Sequence, residues 1–293
     1  MLTEIFVQVD DFVKTIPLKH NCILSKGNNK RLRNHQGKMS ISEMITIIIL
    51  FHLSNYRTFK HFYLNHVCVH LRKEFPSLIS YPRFVDNSKN CMFLMMFYMQ
   101  SILGKCTGIS FMDSTSINIC HNKRINRNKV FKNLAERSKT TMGWFYGFKL
   151  HFIINDLGEI ISFHVTKGNI DDRAPVPKMI KKIFGKIFAD KGYLGAKLFK
   201  ELFDKGIHLI TGIKRNMKNK LIPMLDKISL RKRFIIETIN DKLKNECQIE
   251  HTRHRSVHGF IINLIAGLIC YQISPNKPKV RMSLNQEKSL FPA

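Results

Sequence analysis

The chain has 293 residues, 44% of them hydrophobic, and 48 Lys and Arg against 21 Asp and Glu, a formal net charge of +27 with a pI near 10. Ordinary hydrophobic content excludes a disordered basic tail, and a folded protein with so large a cationic excess seeks a polyanion, nucleic acid before an anionic membrane. Seven widely spaced cysteines with no CxxC argue against a disulfide framework and for reduced thiols in the cytoplasm.

The N-terminus carries acids where a secretory leader would carry bases, and the apolar runs Met44–Leu53 and Phe260–Ile273 are too short or too polar to span a bilayer. Ile5, Val9, Phe12 and Ile16 recur at helical spacing and predict an amphipathic helix over 1–20. A basic, flexible loop follows over 21–39. Ser40 and Ser42 are candidate N-caps for an apolar helix with Glu43 in its first turn. Further helices are expected over 58–72 and 83–103, the latter opened by the break at Tyr81 and Pro82. Residues 1–104 thus read as a helical region with cations, Lys60, Arg72, Lys73 and Arg83 among them, placed to touch DNA.

Near 105 the pattern turns from helical to alternating. Ile109–Asp113 is a first strand with Asp113 at its end. Residues 114–146 form a polar segment rich in cations, among them Lys123, Arg124, Arg127 and Lys129, placed to hold a phosphate backbone. Trp144, the only tryptophan, is flanked by Phe145 and Tyr146 and reads first as a strand-core aromatic, with stacking on an unpaired base as the alternative. A hairpin is expected from 145–155 and 159–166 around Asp156, Leu157 and Gly158. Asp171 and Asp172 open a helix to about Phe184 and suit its dipole. Then come a strand over Lys186–Asp190, a helix over 194–205 and a strand over 207–212. Residues 213–233 are basic again, with Lys214 and Arg215. A helix over 230–244 puts Arg233, Glu237 and Lys244 on one face, with Phe234, Ile235, Ile239 and Leu243 free to pack. Arg253 and Arg255 precede a last apolar helix over 257–271, and the basic tail 275–293 reads as loose.

The order of elements predicts an α/β domain over 105–274, with a hairpin feeding a mixed sheet and acids at strand ends, where an open α/β sheet gathers its chemistry. Two aspartates at strand ends and a later glutamate can offer the oxygen ligands that hard divalent cations take. No nucleotide-binding glycine motif occurs.

These features resemble the DDE transposases of bacterial insertion sequences, which have a ribonuclease H-like catalytic core. Asp113, Ser114 and Thr115 look like the first acidic motif, and Asp190, Gly192 and Tyr193 like the second. The family's Y-x2-R-x3-E-x6-K signature is met at Arg233, Glu237 and Lys244, with Leu230 in place of the tyrosine. The stretches 121–124, 143–151 and 251–256 are similar to the insertion sequence 982 group in particular. The resemblance implies Asp113, Asp190 and Glu237 as catalytic metal ligands, for two Mg²⁺ ions with Mn²⁺ able to substitute. It implies Arg233 and Lys244 as phosphate contacts, double-stranded DNA as element ends and target, and a homodimer or larger assembly on DNA. A nucleoid-associated cytoplasmic enzyme that cleaves and joins DNA follows; a nuclease that does not join strands, or an inactive DNA-binding relative, are the alternatives.

Overall fold

Alternation of apolar residues along 109–118 and 143–155 builds two long neighbouring strands, and the rest of the sheet assembles on them. The computed structural model describes residues 1–16, 38–140, 143–213, 217, 221–250 and 254–280. Most of the predicted loop 21–39, much of the basic stretch 214–220, and the tail from 281 lie outside the described residues, as do Lys214, Arg215 and Arg253. The chain divides into two compact units, one of Met1–Ile102 with Glu246–Cys270, the other of Leu103–Asn245 with Tyr271–Ala293. Glu246–Cys270 therefore groups with the N-terminal residues, whereas the sequence pattern extends the α/β stretch through to 274.

The first unit is helical. Leu2–Thr15 buries Ile5 and Val9, and Ile41–Leu53 begins at a capping box in which Ser40 and Glu43 satisfy each other's backbone amides. The third helical stretch, 59–70, passes through a π-helical turn at Tyr63–Val67. Its Phe59 and Tyr63 meet Phe84 at ring-centroid distances of 5.4 and 4.8 Å. His52 is buried with its Nδ1 2.6 Å from the carbonyl of Cys247. Burial pushes its pKa down to about 4, so it is neutral at pH 7. The six described cysteines, all but Cys22, are free thiols. Among the described residues no helix is long and apolar enough to cross a membrane.

The second unit holds a six-stranded mixed sheet: β1 (Ile109–Asn118), β2 (Glu136–Thr140), β3 (Gly143–Asn155), β4 (Ile160–Lys167), β5 (Gly185–Ala189) and β6 (Ile207–Thr211). The order is β2-β3-β1-β5-β6, and β4 shares the outer edge of β3 with β2. β1 pairs antiparallel with β3 and parallel with β5, and β5 parallel with β6. The hairpin turn falls where expected, with Gly158 at φ +76°.

Several elements differ from the sequence-based expectation, each for a visible reason. β1 runs five residues past Asp113, because its polar stretch 114–118 finds partners along β3. β2 forms inside the segment expected to be a polar loop, its charged side chains lying along an edge. The helix expected from 171 shrinks to Val176–Met179. Asp171 caps a turn by accepting the Arg173 amide, and Pro175 and Pro177 lack the amide hydrogens a longer helix needs. The single helix expected over 230–244 is three pieces: Met224–Lys232, Ile235–Asp241, and a π-helical turn at Lys242–Glu246. Ile235, Ile239 and Leu243 are buried as expected, but Phe234, at the break, is exposed.

Strand alternation sorts the sheet into two faces. Met112, Ile153, Ile187 and Ala189 face one core with Met179, Ile183, Leu198 and Leu202. On the other face Phe111 stacks on Phe188 at 5.6 Å, and the helix Ile235–Asp241 packs on β1. The helix Met224–Lys232 is held to the sheet by Lys186 Nζ, which donates to the buried carboxylate of Asp226 at 2.8 Å. Removing one partner of such a pair strands the other charge in the interior. Lys186→Met is expected to lower unfolding free energy by on the order of 3 kcal/mol. Adding Asp226→Leu should recover much of it, as read from urea-denaturation midpoints. Simple additivity of the two losses would show that the pair does not anchor this helix.

Candidate active site

The parallel register of β1 and β5 brings two acids to the same level. Met112 pairs with Ala189, so Asp113 and Asp190 are each the next residue beyond the last parallel pair. Parallel pairing stops there, although β1 itself continues against β3. Asp113 is thus at the end of a parallel ladder but in the middle of its strand. Asp190 begins the short turn Lys191–Tyr193 and is 57% exposed.

The third acid arrives from the helical side. The break after Lys232 sets Arg233 in a tight turn, where the amide of Ile236 donates back to the Arg233 carbonyl at 3.0 Å. Nη2 of Arg233 lies 3.8 Å from Asp190 Oδ1 and 3.6 Å from Glu237 Oε1. These are ion-pair distances rather than hydrogen bonds. Glu237 is 65% exposed, so both pairs are solvent-screened and add little stability. Their consequence is charge balance: one cation is shared by two carboxylates and also acts on Asp113.

Asp113 is half-buried, and burial pushes its pKa up to about 6. The Ser114 backbone and Arg233 pull the other way, while Asp190 and Asp172 add to the rise. Tyr193 is buried beside these acids, its hydroxyl towards Ser114 but without a well-formed hydrogen bond, and burial raises its pKa.

A fourth acid, expected to serve a helix dipole, is placed otherwise. Asp172 accepts from Lys149 Nζ at 3.0 Å and lies 3.9 Å from Nδ1 of His151. His151 is 1% exposed, and its Nε2 meets Thr166 Oγ1 at 2.8 Å. Burial lowers its pKa to about 4, so it is neutral at pH 7. His151 and Lys149 lie within the stretch 143–151, but their alternation along β3 is the signal that puts both on one face. Asp171 is taken up locally by Arg173.

The structure therefore draws Asp113, Asp190, Glu237 and Arg233 into one neighbourhood. Their carboxylate oxygens are of the kind a hard divalent cation takes, and the acids' mutual repulsion is what such an ion relieves. Among the described residues no group of three or more His, Cys, Asp or Glu side chains is gathered tightly enough to hold a metal. Lys244 falls in the π-helical turn, off the straight helical face expected for it. Lys123, Arg124 and Arg127 are exposed on the turn Asn122–Arg127, with Lys129 just beyond. Arg255 is exposed and belongs to the helical unit.

A carboxyl whose pKa is raised from 3.8 to about 6 by folding binds its proton more tightly in the native state. Its contribution to stability is complete below about pH 4 and lost as pH rises through 6. Asp113→Asn should therefore gain stability over the parent between pH 4 and 7 in the presence of a chelator, by on the order of 2 kcal/mol. Parallel thermal melts of the two proteins across that range check the sign.

The family model for the transposase DDE domain matches residues 103–257, more than half of the chain. No curated protein matches. Among solved structures, the chain is similar to the piggyBac transposase synaptic complex with hairpin DNA, at 11% identity and a TM-score of 0.46, over 98% of this chain and 76% of that one. With its match spanning the whole sheet and the acids Asp113, Asp190 and Glu237, this chain belongs to the transposase DDE domain family.

Proposed function

We propose that the protein is an insertion-sequence transposase with a ribonuclease H-like core, of the insertion sequence 982 type, that cleaves DNA at element ends and joins them to target DNA. One observation carries this reading: the β1–β5 register makes Asp113 and Asp190 neighbours, and Arg233 spans Asp190 and Glu237. The three acids of the motif come from two strands and a helix that lie far apart in sequence, and this proximity supports a shared role.

In this reading Asp113, Asp190 and Glu237 would draw together around Mg²⁺, two ions in all, with Mn²⁺ as substitute. When bound, the metal supplies Lewis-acid stabilisation of charge on the phosphodiester oxygens. The chain's own groups do the rest. Arg233 is a planar cation beside the acids, suited to orient a phosphate by two parallel hydrogen bonds. Lys244 adds a second phosphate contact. Tyr193 and the buried β1–β5 core exclude water from behind the acids. Exchange of one phosphodiester for another needs no nucleotide triphosphate, in keeping with the missing nucleotide motifs.

The net charge of +27 supports DNA as the partner. Lys123, Arg124, Arg127 and Lys129 would lie along the backbone of the bound duplex, with Lys214, Arg215, Arg253 and Arg255 as further contacts. The helical unit would recognise element ends, and pairing of two ends calls for a dimer or larger assembly. Such a protein works in the cytoplasm, on the nucleoid.

Two measurements test this. Asp113→Asn, Asp190→Asn and Glu237→Gln should each cut Mg²⁺-dependent nicking of an end-containing duplex by about a hundred- to a thousandfold while leaving end binding nearly intact. Arg233→Ala should cost less, roughly ten- to a hundredfold. Full nicking by Glu237→Gln would remove that residue from the site and the signature with it. Separately, neutralising Lys123, Arg124, Arg127 and Lys129 should flatten the dependence of log affinity on log salt by about 0.9 for each phosphate that is no longer neutralised. An unchanged slope would take this turn off the DNA.

A further inference from the structure

Trp144 does not lie in the core, as its strand position suggested; 52% of it is exposed. It sits at the start of β3, opposite the edge strand β2, with Lys139 as its direct partner and Arg137 paired to Tyr146. The Arg137 guanidinium carbon is 4.6 Å from the indole centroid and Lys139 Nζ is 6.0 Å away. Both cations are exposed. The acid on this strand, Glu136, is engaged by Lys167 at 3.5 Å. Asn122 Nδ2 donates to the Trp144 carbonyl at 2.7 Å, which ties the basic turn Asn122–Arg127 to the same strand end.

The register relates this corner to the acids. Asp113 pairs with Phe152, and β1 and β3 run together without a bulge to Asn118 and Gly147. Even-numbered residues of β3 therefore share a sheet face with Asp113. Trp144 is on that face, eight residues along from Phe152, which at about 3.3 Å per residue is roughly 26 Å. That is less than one turn of duplex DNA, about 34 Å.

We propose that Trp144, flanked by Arg137 and Lys139, is a stacking platform for an unpaired base of DNA lying across this face. This rests on the DNA-acting reading above and adds a second contact to it. An exposed indole offers a flat π surface to any base, and the two cations neutralise the phosphates on either side of it. Duplex DNA keeps its bases stacked internally and presents only phosphates here, so the site distinguishes unpaired from paired nucleotides without reading sequence.

Because Trp144 is the only tryptophan, its fluorescence reports on this site alone. The full-length protein, without metal, is titrated with a single-stranded oligonucleotide, with the same strand carrying abasic sites, and with the blunt duplex. Quenching by the single strand, and little by the other two, is expected. Trp144→Ala should weaken single-strand affinity by about ten- to a hundredfold, with duplex affinity little changed and an unaltered circular-dichroism melt. Trp144→Phe should retain most of it. Equal quenching by abasic and natural strands, or undiminished single-strand affinity in Trp144→Ala, would reduce the arrangement to a cross-strand cation–π interaction and overturn the proposal. Nicking at element ends would then still stand. Absence of any DNA affinity would overturn both.

Discussion

The parallel pairing of β1 with β5 is the constraint on which the acidic site depends. It fixes Met112 against Ala189 and leaves Asp113 and Asp190 side by side where the ladder stops. A strand has a period of two, so a slip of one residue in either strand would turn its acid to the face opposite the other acid. Burial on both faces prevents that slip. Ile187 and Ala189 are locked in one core, and Phe111 stacks on Phe188 in the other. The acids thus owe their placement to apolar neighbours that do no chemistry.

Like charges held together in this way raise the free energy of the site, and the fold meets that cost locally. Arg233 is the shared counter-charge, close enough to temper repulsion yet too far for tight hydrogen bonds. It owes its position to the break between Met224–Lys232 and Ile235–Asp241. A straight helix would keep Arg233 and Glu237 on one face, but the position of that face relative to Asp190 is set by packing. The Lys186–Asp226 pair, its carboxylate buried, fixes one side of the break, and Ile235, Ile236 and Ile239 fix the other.

Exposed cations line the β2 edge and the turn after β1. Strand edges expose unpaired backbone, and charged side chains there deter sheet-to-sheet association. In this chain the charges are of one sign over Lys123, Arg124, Arg127, Lys129, Arg137 and Lys139, so the device that protects the edge also favours a polyanion.

Much of this was legible in the sequence. The capping box at Ser40 and Glu43, the Gly158 hairpin and the mixed α/β order follow from local rules, because caps, turns and periodicity involve residues close in the chain. The acids were legible as residues through Asp113, Asp190 and Glu237 in their motifs. The sequence could not tell that β1 would continue to Asn118, since polar residues 114–118 become a strand only when β3 pairs with them. Nor could it tell that Trp144 would be exposed: alternation names the face of a residue but not whether that face is covered. Lys149, His151 and Asp172 came together for the same reason, through strand register and a proline-shortened helix. Local chemistry, then, was determined by the sequence alone; which acids meet, which cation they share and which aromatic stays in water were decided by long-range pairing, whose energy comes from burial spread over the whole sheet.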